Sequence, residues 1–276
     1  SNGMSMLTFL KVVTPLIFGL LTSTAQAQAD CQRTEYTYKK PDAHILFQRT
    51  TKETSRGVVI LSHGGTSGGT SRGLLAQWGG LLKKNGFNVV LMSHYSGRGL
   101  TDTTCKANYT EAEAWRRQDT LNVLKWLAKR HPEDAKRVVL MGFSAGAAAV
   151  FPFVTDSPFN GDIPEGVEVR SGVLFYPWQR SCISPERSVN RPVLFVGAEL
   201  DGTFRCWSQS RWLTTAQTNS LFTLKVYKGA NHAFDFEKLS GKRCEGGPYP
   251  YCMEYHEASR LAAEQDVLQY LTSIGL

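Results

Sequence analysis

The chain has 276 residues, 42% of them hydrophobic and 20% charged, and carries a net charge of +7 with a pI near 9.1. That length suits one domain with a large core, and the absence of repeats, low-complexity tracts, linkers and charge blocks excludes a multi-part chain. The basic residues are scattered without a patch or a nucleic-acid motif, so no nucleic acid is expected as a partner.

Residues 1–29 are expected to be a secretory signal peptide. Lys11 precedes the apolar run Val12 to Leu21, and small residues recur at Ala25, Ala27 and Ala29 as at a cleavage site. The run is too short to span a bilayer, and its alternative is a buried N-terminal helix. Ser1-Asn2-Gly3 ahead of Met4 resembles a cloning scar. Cys31 lacks the small apolar context of a lipid-attachment site, so no stable membrane anchor is expected. A periplasmic or secreted protein follows from these features.

Residues 30–276 read as a single α/β domain. Tyr36-Thr37-Tyr38 and Ile45 to Gln48 look like two hairpin arms joined through Pro41-Asp42. Strands are expected at Val58 to Ser62, Val89 to Ser93, Val138 to Met141, Gly172 to Tyr176, Val193 to Val196 and Thr223 to Tyr227. Their continuous apolar runs suit strands covered on both faces. Helices are expected near Arg72 to Lys84, Thr110 to Arg130, Ala145 to Val154, Cys206 to Gln217 and Glu257 to Leu271. The second opens on Thr110-Glu111-Ala112-Glu113, a capping box. Ser157 to Glu165, with two prolines and two acidic residues, reads as a surface loop. Such alternation implies a mostly parallel sheet with helices on both faces.

Gly142-Phe143-Ser144-Ala145-Gly146 stands between an apolar strand and the Ala-rich stretch Ala147 to Val150. Strand, sharp turn and helix make a nucleophile elbow, in which flanking glycines allow a tight bend and the serine stands exposed above the sheet. Asp201 follows the strand Val193 to Val196, and His232 follows Leu224 to Tyr227, each in a loop at a strand's C-terminal end. A serine hydroxyl is a weak nucleophile that needs a base to take its proton and return it to the leaving group. His232 is the candidate base and Asp201 the carboxylate that orients it, with Glu199 and then Asp235 as alternatives. The chain order Ser, Asp, His is that of α/β hydrolases.

The oxyanion formed in acyl transfer needs donors fixed in advance. Ala145 supplies one backbone amide, and Gly65 or Thr66, in the loop His63 to Gly69, supplies the other; a loop so rich in glycine has simple flexibility as its alternative. His63 is expected to be structural. Tyr95, Phe143, Trp178 and Phe204 adjoin these loops and are candidates for an acyl pocket.

All six cysteines follow the expected cleavage point, and an even number in an exported chain favours disulfides. Six cysteines allow 15 pairings and the sequence does not choose among them; one set pairs Cys244 with Cys252, Cys182 with Cys206, and Cys31 with Cys105. No C-x-x-C spacing or histidine cluster is present, so no metal is expected.

These segments together resemble the dienelactone hydrolase family, and more closely its exported members with paired cysteines. The resemblance runs through His63-Gly64-Gly65, Ser96-Gly97-Arg98-Gly99, Arg117-Gln118-Asp119, the elbow at 142–146, Tyr176-Pro177, Glu199-Leu200-Asp201 and His232-Ala233-Phe234-Asp235. It implies the α/β-hydrolase fold, a triad of Ser144, Asp201 and His232, and no cofactor. The founding enzymes of that family use a cysteine nucleophile and have a glutamate directly after the loop histidine, where this chain has Ser144 and Gly64. Ordinary carboxylic esters, small or linked to a saccharide, therefore fit better than a dienelactone. A peptidase of the same fold, and a binding protein that keeps the fold without turnover, are the alternatives. Lys238 to Tyr255 either borders the substrate site or packs against the core, and a monomer or simple homo-oligomer is expected.

Overall fold

A strand apolar at every position offers no face to water, so it must lie between two layers. The computed structural model, which describes residues 44–65, 69–96, 109–178, 188–204, 218–245 and 250–276, is built that way. Strands β1 (His44–Gln48), β2 (Gly57–Ser62), β3 (Phe87–Ser93), β4 (Val138–Phe143), β5 (Val169–Phe175), β6 (Val193–Ala198) and β7 (Phe222–Tyr227) form one seven-stranded sheet. Its order is β1-β3-β2-β4-β5-β6-β7, and only the β1–β3 pair is antiparallel. The described α-helices are α1 (Gly69–Lys84), α2 (Tyr109–Arg130), α3 (Pro132–Ala135), α4 (Ala145–Val150) and α5 (Glu257–Ser273).

The period of two along each strand divides the core. Val139, Met141 and Phe143 of β4 join the layer holding Trp78 and Leu82 of α1 with Val267 and Tyr270 of α5. Val138 and Leu140 join the opposite layer, with Leu124 and Leu127 of α2 and Ala147 and Val150 of α4. Because β4 lies mid-sheet, the loops leaving the C-terminal ends of β2, β5 and β6 gather around its own, where ligands bind in open α/β sheets.

Several expectations shift in detail. The Ile45–Gln48 arm is real, but among the described residues its partner is β3; the Tyr36–Tyr38 arm lies outside them. Helix α2 begins at Tyr109, one residue ahead of the expected cap at Thr110. The elbow helix stops at Val150 and tightens into a 3-10 turn, Phe151–Val154, because Pro152 brings no amide to continue an α-helical ladder. The loop after Ser157 contains another 3-10 turn, Pro158–Asp162. The expected helix at 206–217 and the segment 1–29 lie outside the described residues. No described helix is long and apolar enough to cross a membrane.

After β7 a small antiparallel hairpin, β8 (Arg243–Glu245) with β9 (Tyr251–Met253), places Cys244 opposite Cys252, and the two form a disulfide. The other four cysteines, and with them the other two expected pairs, lie outside the described residues.

Candidate active site

Ser144 ends the turn between β4 and α4 with φ 53° and ψ −117°, a region costly for a residue with a side chain. The elbow's glycines serve a purpose other than bending. Neither Gly142 nor Gly146 has positive φ. A Cβ on Gly142 would lie 2.5 Å from the Gly146 carbonyl, and one on Gly146 would lie 2.3 Å from the Ser62 carbonyl. They let α4 press onto β4 and β2, while the strain falls on the serine. Backbone bonds to the neighbouring strand hold that strain: Ser144 donates to Phe175 O (2.9 Å), and Trp178 donates to Ser144 O (3.1 Å).

The structure brings Ser144, His232 and Asp201 together. His232 Nε2 lies 2.9 Å from Ser144 Oγ, and its Nδ1 lies 2.6 Å from Asp201 Oδ2. Asp201 is fully buried after β6, and its other oxygen accepts the Thr203 amide at 2.9 Å. Glu199, the alternative carboxylate, is exposed and accepts the Gly229 amide instead. Asp235 is buried and accepts from Trp78 Nε1 and Tyr176 Oη, both at 2.7 Å. Burial pushes its carboxyl up to about 6, against the lowering effect of those two donors. Burial and the adjacent Asp235 in turn raise the Tyr176 phenol well above its ordinary value.

The disulfide-tied hairpin packs directly on the histidine. His232 N–H donates to Cys252 O at 2.9 Å, Glu254 N–H donates to His232 O at 3.3 Å, and the Tyr251 ring lies 4.6 Å from the imidazole. Tyr176 lies 4.5 Å from the same ring, so the imidazole is held between two tyrosines. The segment from Lys238 to Tyr255 thus supports the site; Tyr249 is outside the described residues.

The remaining expected residues separate. Gly64 abuts the elbow, since a Cβ on it would be 3.4 Å from Ser144 Cβ; Gly65 follows it, and Thr66 lies outside the described residues. Ala145 opens α4, so its N–H has no acceptor within the helix. Phe143 is 1% exposed and packs on Trp78 and Phe175 in the core, as its inward place on β4 requires, rather than lining a pocket. Tyr95 is also buried, packed against His63 of the loop after β2. Phe204 packs over Gly197 at the end of β6, and only half-buried Trp178 adjoins Ser144, through its backbone.

A second chain of the same three side chains is present. Ser62 Oγ lies 2.8 Å from His94 Nε2, and His94 Nδ1 lies 2.8 Å from Asp119 Oδ2. All three are within 1% of full burial, so no substrate reaches them. Exposure and the elbow backbone, not the hydrogen-bond chain itself, separate Ser144 from Ser62. The buried chain holds the loop: the His94 amide donates to His63 Nε2 (2.9 Å), and His63 Nδ1 donates to Gly64 O (2.7 Å). Burial first, then Arg116 and His94, hold His63 well below the usual imidazole value, so it is neutral and structural. Arg116 and His94 were not singled out from sequence, and Tyr176 was marked only as a strand end and as part of the family resemblance, with no role given to it. For Arg116 a signal existed: it lies three, four and seven residues before Asp119, Thr120 and Val123, a polar start to a buried helical stripe.

Among the described residues no group of His, Cys, Asp and Glu has the arrangement of a metal site. The dienelactone hydrolase family model matches residues 50–275. No curated protein matches the chain. Among solved structures, a dienelactone hydrolase-like promiscuous phosphotriesterase from metagenomic libraries is 16% identical with a TM-score of 0.59, over 86% of this chain and 95% of that one. The dienelactone hydrolase of Anabaena variabilis is 14% identical with a TM-score of 0.57, over 84% and 91%. An esterase of Pyrococcus furiosus is 16% identical with a TM-score of 0.54, over 84% and 92%. The shared architecture is the α/β-hydrolase fold.

Proposed function

The chain belongs to the dienelactone hydrolase family, and on that premise we propose that it is an exported serine hydrolase of carboxylic esters, working through an acyl-enzyme on Ser144. The observation that carries this reading is the run of hydrogen bonds from Ser144 Oγ through His232 to Asp201, at 2.9 and 2.6 Å, on a strained and half-buried serine. As Ser144 Oγ attacks the ester carbonyl, His232 Nε2 takes its proton, and Asp201 keeps the imidazole in the required tautomer and stabilises the imidazolium. The amides of Ala145 and of Gly65 or Thr66 receive the oxyanion. Collapse breaks the ester C–O bond, and His232 returns the proton to the leaving alkoxide. Water then repeats the sequence on the acyl-enzyme and frees Ser144. The substrate is a small or saccharide-linked ester. Export is supported by the signal-like N-terminus and by the Cys244–Cys252 disulfide.

Treatment with a fluorophosphonate, read by intact mass, tests this. One adduct on Ser144, absent from Ser144→Ala, together with hydrolysis of p-nitrophenyl acetate that the substitution reduces at least about 10⁴-fold, is the expected result. A folded wild-type protein that neither labels nor turns over any ester would turn the assignment toward a binding role.

A further inference from the structure

The Arg116 guanidinium is 1% exposed, yet every partner it has among the described residues is neutral. It donates to the carbonyl of His63, to the carbonyl of Gly64 at 2.7 Å and to the Tyr95 hydroxyl at 2.9 Å. A buried cation ordinarily sits against a carboxylate, because an unpaired charge withdrawn from water is costly. Here Asp119, one helical turn along α2, is committed to His94 instead. Among the described residues no carboxylate hydrogen-bonds this cation, which lies directly behind a loop whose Gly64 abuts Ser144.

The two carbonyls it holds belong to successive peptides. In a trans peptide the C=O and the following N–H point in opposite directions. Drawing the His63 and Gly64 carbonyls onto one guanidinium turns the N–H groups of Gly64 and Gly65 away from it. His63 adds a second donor to the Gly64 carbonyl and is itself fixed through His94. Lysine has the charge but not the planar fork that grips two adjacent carbonyls.

We propose that Arg116 is the positioning residue of the oxyanion hole: by holding the His63 and Gly64 carbonyls it aims the Gly65 amide at the oxygen that becomes negative during attack by Ser144, and its positive charge stabilises that oxygen. This rests on the serine-hydrolase reading above and adds to it a residue that never touches substrate. The electrostatic gain arises only when the oxyanion forms, so it belongs to the transition state rather than to substrate binding.

The test uses the full chain, with wild type as the reference; if wild type neither labels nor turns over, the serine-hydrolase reading itself has failed. Given wild-type turnover of p-nitrophenyl acetate, Arg116→Lys and Arg116→Ala are expected to lower kcat about 100- to 1,000-fold with KM nearly unchanged. Binding of a trifluoromethyl ketone should weaken in proportion to kcat, and added guanidinium should restore part of the Arg116→Ala rate. Folded variants that keep kcat, or that lose only KM, overturn the proposal. Should neither variant fold, the amide resonances of wild type decide it. On phosphonylation of Ser144 the Gly65 amide proton should move downfield, and an unchanged shift overturns the assignment.

Discussion

Two residues show how this site stores strain and charge that its packing tolerates. Ser144 holds φ 53° and ψ −117°, a conformation open to glycine but strained by on the order of 1–3 kcal/mol for other residues. Ser144→Gly is accordingly expected to raise stability by about 1 kcal/mol while abolishing turnover, and Ser144→Ala to leave stability near wild type, both read as urea midpoints. Asp235 is the second case. Its carboxyl is raised from 3.8 to about 6 by burial, so between those values the folded protein holds a proton that the unfolded chain has released. Its contribution to stability is therefore complete below about pH 4 and lost as pH rises through about 6, a change on the order of 3 kcal/mol. Asp235→Asn cannot titrate and should show a flatter stability profile across that window. Parallel profiles for the two proteins would remove Asp235 as the source.

Among the elements, the disulfide-tied hairpin decides how firmly His232 is held. The residue it supports comes just after β7, which among the described residues is the last strand of the sheet; β9 supplies an acceptor for its amide through Cys252 O. Closing a loop with sequence separation 8 limits the unfolded chain by roughly 2.5 kcal/mol in the chain-entropy picture. The Cys244→Ser, Cys252→Ser double variant is expected to lose about that much stability. It should also lose kcat several-fold, because Tyr251 and Cys252 no longer fix the imidazole. Retained kcat with lowered stability would confine the disulfide to a structural role. The elbow is the contrasting element: its glycines act at contact distance, so Gly146→Ala forces α4 off β2 and should be worse for stability than a glycine-to-alanine change in an exposed helix.

On the scale of the whole molecule, the sheet separates two apolar layers that share few side chains. Leu82 lies in one and Leu124 in the other, both fully buried. Leu82→Ala and Leu124→Ala should each cost about 2–5 kcal/mol, and the double variant should equal their sum within about 0.5 kcal/mol. A large coupling in denaturant melts would mean that the layers communicate through the strands. The same separation explains what was readable from sequence. Strands at 58–62, 138–141 and 193–196, the elbow at Ser144 and the order Ser144, Asp201, His232 follow from local periodicity and turn chemistry, because side-chain period and glycine placement are properties of adjacent residues. Three other matters are decided between elements brought together only by the strand order. They are which of Asp201, Glu199 and Asp235 meets His232, which of two Ser-His-Asp chains is open, and whether Phe143 and Tyr95 line a pocket or fill the core. Arg116 is the sharpest case: its place on a buried stripe is legible along α2, but its hold on the His63–Gly64 carbonyls exists only because α2 packs beneath the loop after β2. Sequence by itself determined the parts and their chemistry; the tertiary structure determined which parts touch, since contacts across tens of residues are set by packing of the layers and not by any local pattern.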